Sequence, residues 1–123
     1  MDRMFFGIGA LLAGLGVMAG AFGSHALRTR LAPDMLNVFE IAVRYQLFHA
    51  LGLMLVAWAA TRWPGAAVTA AGWLIIAGIV LFSGSLYLMT VAGARGLGLI
   101  TPIGGVLMMA GWATLAWTTV KLG

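Results

Sequence analysis

The chain has 123 residues, of which 63% are hydrophobic and only 8% are charged. A soluble domain is about one-quarter charged, so this composition excludes an ordinary soluble protein and predicts an integral membrane protein. The chain contains no cysteine, which excludes disulfides, thiolate metal sites and cysteine nucleophiles. Its net charge of +4 comes from basic residues scattered singly along the sequence. This scatter predicts helix ends anchored at lipid headgroups and no nucleic-acid partner.

Four stretches are long and apolar enough to cross a bilayer, which takes about 20 residues in a helix. We expect spans at residues 4–22, 38–60, 66–90 and 99–120, within a single domain that covers residues 1–123. The last two connections, TRWPG and GARGLG, are short, so the spans they join should be antiparallel neighbours. The sequence therefore predicts an all-α integral membrane protein, an up-down antiparallel bundle of four transmembrane helices.

The first span could instead be a secretory signal peptide, because Ala19-Gly20-Ala21 is similar to a small-residue cleavage site. The charged region before it is a single arginine beside an aspartate, which is weak for a signal peptide. We therefore expect the segment to be retained as a membrane span.

The first connection, SHALRTRLAPDMLN at residues 24–37, is the longest of the three. Its apolar and charged residues alternate, which predicts a short, ordered and partly helical segment at the membrane interface. Leu27, Leu31 and Leu36 should face apolar surroundings. Pro33 should break this segment or begin a new turn.

The basic residues leave the orientation of the bundle undecided. Each side of the predicted bundle receives three of them: Arg3, Arg62 and Lys121 on the side of the termini, and Arg28, Arg30 and Arg95 on the other. Because Arg3 directly precedes the first span, we expect both termini to be cytoplasmic.

Small residues recur at helical spacings in three of the spans. Since lipid provides no hydrophobic drive for helix association, such rows predict the surfaces where helices pack. The rows are Gly9, Ala13, Gly16, Gly20 and Gly23; Ala70-Ala77-Gly84 and Ala71-Gly78-Ser85; and Gly104, Gly111 and Thr118. A row left over in so small a bundle would favour self-association or contact with other membrane subunits.

Polar residues concentrate in FEIAVRYQLFHALGL at the start of the second span and at the same depth in the other spans. Glu40 and Arg44 are four residues apart and should form an ion pair, joined by at least one of His25, Tyr87 or Thr101. His49 should lie near mid-membrane and bond to a serine or carbonyl of the third span. The predicted cluster comprises His25, Glu40, Arg44, Tyr45, Gln46, His49, Ser83, Ser85, Tyr87 and Thr101.

Two interpretations of this cluster remain open. In the first, the polar groups fix helix register and the protein is a structural or accessory unit of a membrane assembly. In the second, they bind or carry a small ligand, a lipid headgroup or a proton, since ionisable residues inside a membrane are candidates for function. The two histidines differ too much in depth to share a metal, and the sequence suggests no cofactor and no set of catalytic residues.

The motifs GAFGSHAL, FEIAVRYQLFHALGL, LFSGSLYLM and ITPIGG resemble those of a known family in both sequence and order. The chain is similar to the small bacterial membrane proteins of domain-of-unknown-function family 423, relatives of the eukaryotic transmembrane protein 256 group. The resemblance implies a four-helix, multi-pass protein of the bacterial inner membrane. It implies no activity.

Overall fold

A computed structural model describes residues 2–120, and its regular elements are all helical. Four stretches are long and apolar enough to cross a membrane, which confirms the predicted all-α membrane fold. The first stretch consists of a helix, a π-helical turn and a second, short helix, and the fourth consists of a 3-10 turn followed by a helix. The elements are α1 (Asp2–Met18), the π-helical turn (Ala19–Gly23), α2 (Ser24–Leu27), α3 (Pro33–Arg62), α4 (Ala66–Ala92), the 3-10 turn (Arg95–Leu99) and α5 (Thr101–Val120).

The first connection is ordered and partly helical, as predicted, but its helical parts continue the flanking spans. α2 extends the first span, and Pro33 occupies the first turn of α3, where its fixed φ and missing N–H fit a helix start. Only residues 28–32 remain as the link between the two spans. Leu31 and Leu36 are half-buried there. The interfacial segment is thus shorter than the amphipathic spacing indicated.

The helices pack as antiparallel neighbours in a fixed order. α1 lies along α3, α3 lies along α4, and α4 lies along α5. Half of an apolar stretch of 18 residues in α3 is buried, compared with 17% of the corresponding stretches in the first and last spans. The second and third spans therefore form the centre of the bundle, and the outer two present most of their surface to lipid.

Glycines set the close approach of the outer helices to the central pair. A Cβ on Gly16 would lie 2.7 Å from the Leu47 Cδ2 atom of α3, and one on Gly9 would lie 2.8 Å from the Ala50 carbonyl oxygen. On the other side of the bundle, Gly78 faces Met108 and Gly104 faces the backbone of Phe82. The predicted small-residue rows thus form the interfaces of α1 with α3 and of α4 with α5.

One predicted row makes no such interface. Ala70 is exposed, and a Cβ on Gly84 would meet no atom within 4 Å. The neighbouring row Ala71-Gly78-Ser85 packs on α5 in its place: Ala71 and Ser85 are buried, and Gly78 contacts Met108. Two rows one residue apart on a helix point about 100° apart, so a single neighbour can use only one of them.

The end of the bundle that carries the termini is closed by apolar and aromatic side chains. Phe5, Leu53, Val56 and Ile75 form part of its buried core. Near the membrane surface on this side, the Arg62 guanidinium lies 5.6 Å from the Trp63 ring centroid. Tryptophan and arginine at this position are typical of membrane interfaces. Lys121, assigned to this side from the sequence, lies outside the described residues.

We predict that Gly104→Ala lowers the free energy of unfolding by about 1–3 kcal/mol, the usual cost of overpacking. The added Cβ would collide with the main chain of Phe82, which cannot rotate away. Gly105→Ala is the matched control, because its Cβ would lie 3.8 Å from the Phe82 Cδ2 atom, an ordinary contact. Denaturant titration in detergent micelles measures the free energy of unfolding of both variants. Equal effects of the two substitutions would contradict the proposed close approach.

Candidate functional site

Most polar residues of α3 lie between its middle and the end opposite the termini. Measured from the middle of α3, Arg44 is displaced by about 5 Å and Glu40 by about 11 Å toward that end, whereas His49 is displaced by about 2 Å toward the termini. All three are within the roughly 15 Å half-thickness of the hydrocarbon core. Each should therefore be hydrogen-bonded inside the protein or reach toward the headgroups.

The Gln46 side chain joins three helices. Its amide nitrogen donates to the Leu12 carbonyl oxygen of α1 at 2.8 Å, and its amide oxygen accepts from the Tyr87 hydroxyl of α4 at 2.6 Å. Gln46 itself is buried, with 6% of its surface exposed. α1 approaches closely at this point because Gly16 has no side chain to hold the helices apart. The amide therefore fixes the register of α1 and α4 against α3.

His49 joins α3 to α5. The Trp112 indole N–H donates to the His49 Nε2 atom at 2.9 Å, and the His49 Nδ1 atom lies 2.8 Å from the Tyr45 carbonyl oxygen. An indole nitrogen only donates and a carbonyl oxygen only accepts, so the ring carries its proton on Nδ1 and is neutral. The Trp112 ring also packs on Gly52 of α3.

Two serines complete the contacts of α4. The Ser83 hydroxyl donates to the Ala42 carbonyl oxygen of α3 at 2.8 Å. The Ser85 hydroxyl bonds to the Thr101 hydroxyl at the start of α5. We call Gln46, His49, Ser83, Ser85, Tyr87, Thr101 and Trp112 the buried polar network. Among the described residues, every buried side-chain nitrogen and oxygen has a partner, so this network can hold the helices without ligand.

A second group of polar residues faces the outside of the bundle. His25, Arg28, Glu40 and Arg44 line a groove of about 480 Å³ between the end of the first span and α3. Gly20 and Ala21 of the π-helical turn form part of one wall, and Val43 and Leu47 form part of the other. We call this the charged groove. π-Helical turns are often found beside functional sites.

The predicted ion pair between Glu40 and Arg44 is wrong. In the part of the chain that the structure describes, neither side chain has an ion pair or hydrogen bond, either with the other or with His25, Tyr87 or Thr101. Both side chains are exposed to the groove. Helical spacing allows such a pair but stabilises it only weakly when the side chains are exposed, so each is free to extend separately.

Nine of the ten predicted site residues therefore fall into two groups instead of one, and Tyr45 belongs to neither. The two groups differ in direction: Gln46 and His49 point into the bundle, whereas Glu40 and Arg44 point out of it. His25 lies in the charged groove, while Tyr87 and Thr101 belong to the network. Tyr45 is 39% exposed, and its ring packs against His49 and Phe82.

The structure corrects the partner of His49 and adds three features. Trp112 takes the place of the expected serine or third-span carbonyl, and Ser83 and Ser85 bond elsewhere. Arg28 lines the charged groove although it was assigned only to the connection. The π-helical turn was not predicted either, and its only signal is a pair of glycines, Gly20 and Gly23, in five residues.

Within residues 2–120, no group of three or more His, Asp or Glu side chains is placed to hold a metal ion. His25 and His49 lie in different groups, one in the charged groove and one in the buried network. The polar side chains that line the groove are thus two guanidinium groups, one carboxylate, one imidazole and the hydroxyl of Ser24.

The family model described as "Protein of unknown function (DUF423)" matches residues 19–105, which is most of the chain and includes all ten predicted site residues. The chain is 45% identical to the UPF0382 membrane protein YwdK of Bacillus subtilis over 97% of its own length and 98% of that protein's. It is 43% identical to the UPF0382 membrane protein SH2409 of Staphylococcus haemolyticus, over 97% of each chain.

The chain belongs to the DUF423 family. No solved structure matches it significantly. The segment matched by the DUF423 model contains the charged groove and most of the buried network, whereas Trp112 lies beyond it. The family description names no activity, so the function of this DUF423 protein has to be argued from its geometry.

For this DUF423 protein we predict energetic coupling of about 1 kcal/mol between Gln46 and Tyr87, in the range measured for hydrogen bonds between membrane helices. Gln46→Leu leaves the Tyr87 hydroxyl without its acceptor. Tyr87→Phe should therefore cost less in the Gln46→Leu background than in the native chain. Unfolding of the four proteins in micelles gives the coupling energy.

Thr114→Ala is the control for this cycle, because its hydroxyl bonds only within α5, to the Ala110 carbonyl oxygen. It should not couple to Tyr87→Phe. If the coupling energy between the Gln46 and Tyr87 substitutions is as small as that between the Thr114 and Tyr87 substitutions, the bond does not contribute to the stability of the bundle.

Proposed function

We propose that this DUF423 protein is a multi-pass protein of the bacterial inner membrane, with cytoplasmic termini, that binds a small polar ligand or lipid headgroup in its charged groove. The buried polar network serves as the scaffold that holds the walls of the groove. The proposal rests on the separation of the polar residues into two groups. The side chains of the buried polar network bond to one another or to main-chain carbonyls, whereas those of the charged groove face outward.

The single observation that carries the proposal is the pair of unpaired, exposed charges on α3. Glu40 and Arg44 point into the same groove without bonding to each other. A charge at this depth costs several kcal/mol unless it finds a partner or reaches the headgroups. A ligand with its own polar groups would offset that cost for both side chains at once.

The form of the groove favours binding at the side of the bundle over passage through it. The groove is bounded by the outer surfaces of the first span and α3. The inward face of α3 is instead filled by buried residues such as Ala42, Gln46 and His49. The bonds of Gln46 also hold α1 in place, so one wall of the groove is fixed before a ligand arrives.

Native mass spectrometry of the protein purified in a mild detergent tests this proposal. We expect the wild-type chain to retain a bound ligand and Arg44→Gln to lose most of it, since charge-assisted bonds dominate polar recognition. Arg95→Gln is the control, because Arg95 is exposed on the same side of the membrane but does not line the groove. Equal retention by all three chains would contradict the proposal.

A specific observation also favours the structural or accessory role. The row Ala70-Ala77-Gly84 faces away from α5, and the space around Gly84 is open. Small residues in such a row allow a second membrane helix to approach closely. On this hypothesis the DUF423 protein packs against another subunit, or a second copy, through this face of α4.

Cysteine cross-linking in membranes tests this second role, because the chain has no cysteine of its own. We expect Gly84→Cys to form a cross-linked species. Gly14→Cys is the control: its surroundings are equally open, but it lies on α1, away from the proposed surface. Cross-linking of both positions to the same extent would indicate random collision and would exclude this surface as an interface.

A further inference from the structure

We propose that the ligand of the charged groove is a phospholipid whose headgroup carries both a phosphodiester and a primary ammonium, as phosphatidylethanolamine does. This inference rests on the proposed function and names the ligand class of the same site. It follows from the depth of the groove, from the kinds of charge it presents, and from the apolar surface that continues below it.

The groove extends from the headgroup level into the hydrocarbon. Gly23 faces Phe39, so His25 and Arg28, which follow it, lie level with the start of α3. Arg44 lies about 5 Å from the middle of α3. Side chains on a helix lean toward its N-terminus, which directs Arg44 back toward the headgroups on that side. The polar atoms of the groove thus lie where a lipid headgroup joins its acyl chains.

The charges of the groove match the two charges of a zwitterionic headgroup. The guanidinium groups of Arg28 and Arg44 offer only donors, in a fork that fits the oxygens of a phosphodiester. Glu40 offers only acceptors and has no partner within residues 2–120. A primary ammonium supplies both a positive charge and N–H donors to this carboxylate. An anionic headgroup without an amine would bring its negative charge close to Glu40 instead.

Apolar surface suited to acyl chains continues below the groove. Phe48 and Leu51 follow Arg44 at helical spacings of four and seven residues, and they are 60% and 55% exposed. On the first span, Val17 lies one turn before Ala21 and is 57% exposed. These side chains face the hydrocarbon, so the acyl chains of a lipid whose headgroup occupies the groove can lie along them without any rearrangement of the bundle. This continuity favours a lipid over free phosphoethanolamine.

Competition between lipids, measured by native mass spectrometry of the full chain, tests the inference. Equal amounts of phosphatidylethanolamine, phosphatidylglycerol and phosphatidylcholine are added to the detergent-solubilised protein. Phosphatidylcholine has the same charges as phosphatidylethanolamine but no N–H donors, and phosphatidylglycerol has no amine. We expect phosphatidylethanolamine to bind roughly tenfold more tightly than either, the ratio that one charge-assisted hydrogen bond provides.

Two substitutions of Glu40 assign this preference to the groove. Glu40→Gln should remove most of the preference, and Glu40→Lys should shift it toward phosphatidylglycerol. Glu40 is exposed, so both chains should fold, and a thermal midpoint equal to that of Arg95→Gln checks this. Arg44→Gln should weaken the binding of all three lipids, because it removes a phosphate contact common to them.

The possible outcomes separate this inference from the proposed function. If Arg44→Gln and Glu40→Lys leave lipid binding unchanged, the lipid is not held in the groove and this inference fails. If Arg44→Gln also retains the co-purified ligand as fully as the wild-type chain, the proposed function fails as well. If Arg44→Gln weakens binding but the three lipids bind equally, with no effect of Glu40→Gln, only the ammonium assignment fails. If soluble glycerophosphoethanolamine competes as well as the intact lipid, the groove recognises the phosphodiester and the ammonium but not the acyl chains. The assignment of the ligand as a lipid is then wrong.

Discussion

The hydrogen bonds of one amide, that of Gln46, connect the fold of this protein to its candidate site. A bilayer core provides no water, so a buried amide has to find its donor and acceptor within the protein. Gln46 finds them on two different helices, the Leu12 carbonyl oxygen on α1 and the Tyr87 hydroxyl on α4. Sliding either helix along α3 would break one of these bonds. The amide therefore fixes the relative position of three spans, and with it the crevice in which the charged groove lies.

Close packing makes these polar contacts possible. Gly16 brings the α1 backbone near Gln46, and Gly52 leaves room for the Trp112 ring that donates to His49. In membrane proteins small residues replace the hydrophobic drive that is missing between helices in lipid. Here the small residues also decide which polar groups can meet. The glycines and the buried polar network thus depend on each other, since close packing and hydrogen bonding together hold the helices in register.

The sequence was sufficient to predict the four spans, because length and hydropathy determine where a chain can cross a membrane. It was not sufficient to predict whether each polar side chain points into the bundle or out of it. Gln46 and His49 point toward α4 and α5, while Glu40 and Arg44 point outward, and all four were expected to form a single cluster. Which face of α3 meets α4 depends on contacts distant in sequence. The bond between Ser83 and the Ala42 carbonyl is one such contact.

The same reasoning explains why Trp112 and the π-helical turn were not anticipated. Trp112 is 63 residues from His49, and nothing in its local sequence distinguishes it from an interfacial tryptophan. The turn at Ala19–Gly23 contributes Gly20 and Ala21 to the wall of the groove, but glycine-rich membrane helices are common and seldom contain such a turn. Both features depend on tertiary packing, which composition and periodicity do not encode.

The polar residues of α3 divide between a dry interior and an accessible groove, and the reactivity of single cysteines reports on this division. In membranes treated with a water-soluble thiol reagent, Glu40→Cys and Arg44→Cys should react, because both positions face the charged groove. Ala42→Cys, at the same depth but completely buried, should not react. Equal reaction at all three positions would show that the polar residues line one water-filled cavity and would contradict this account.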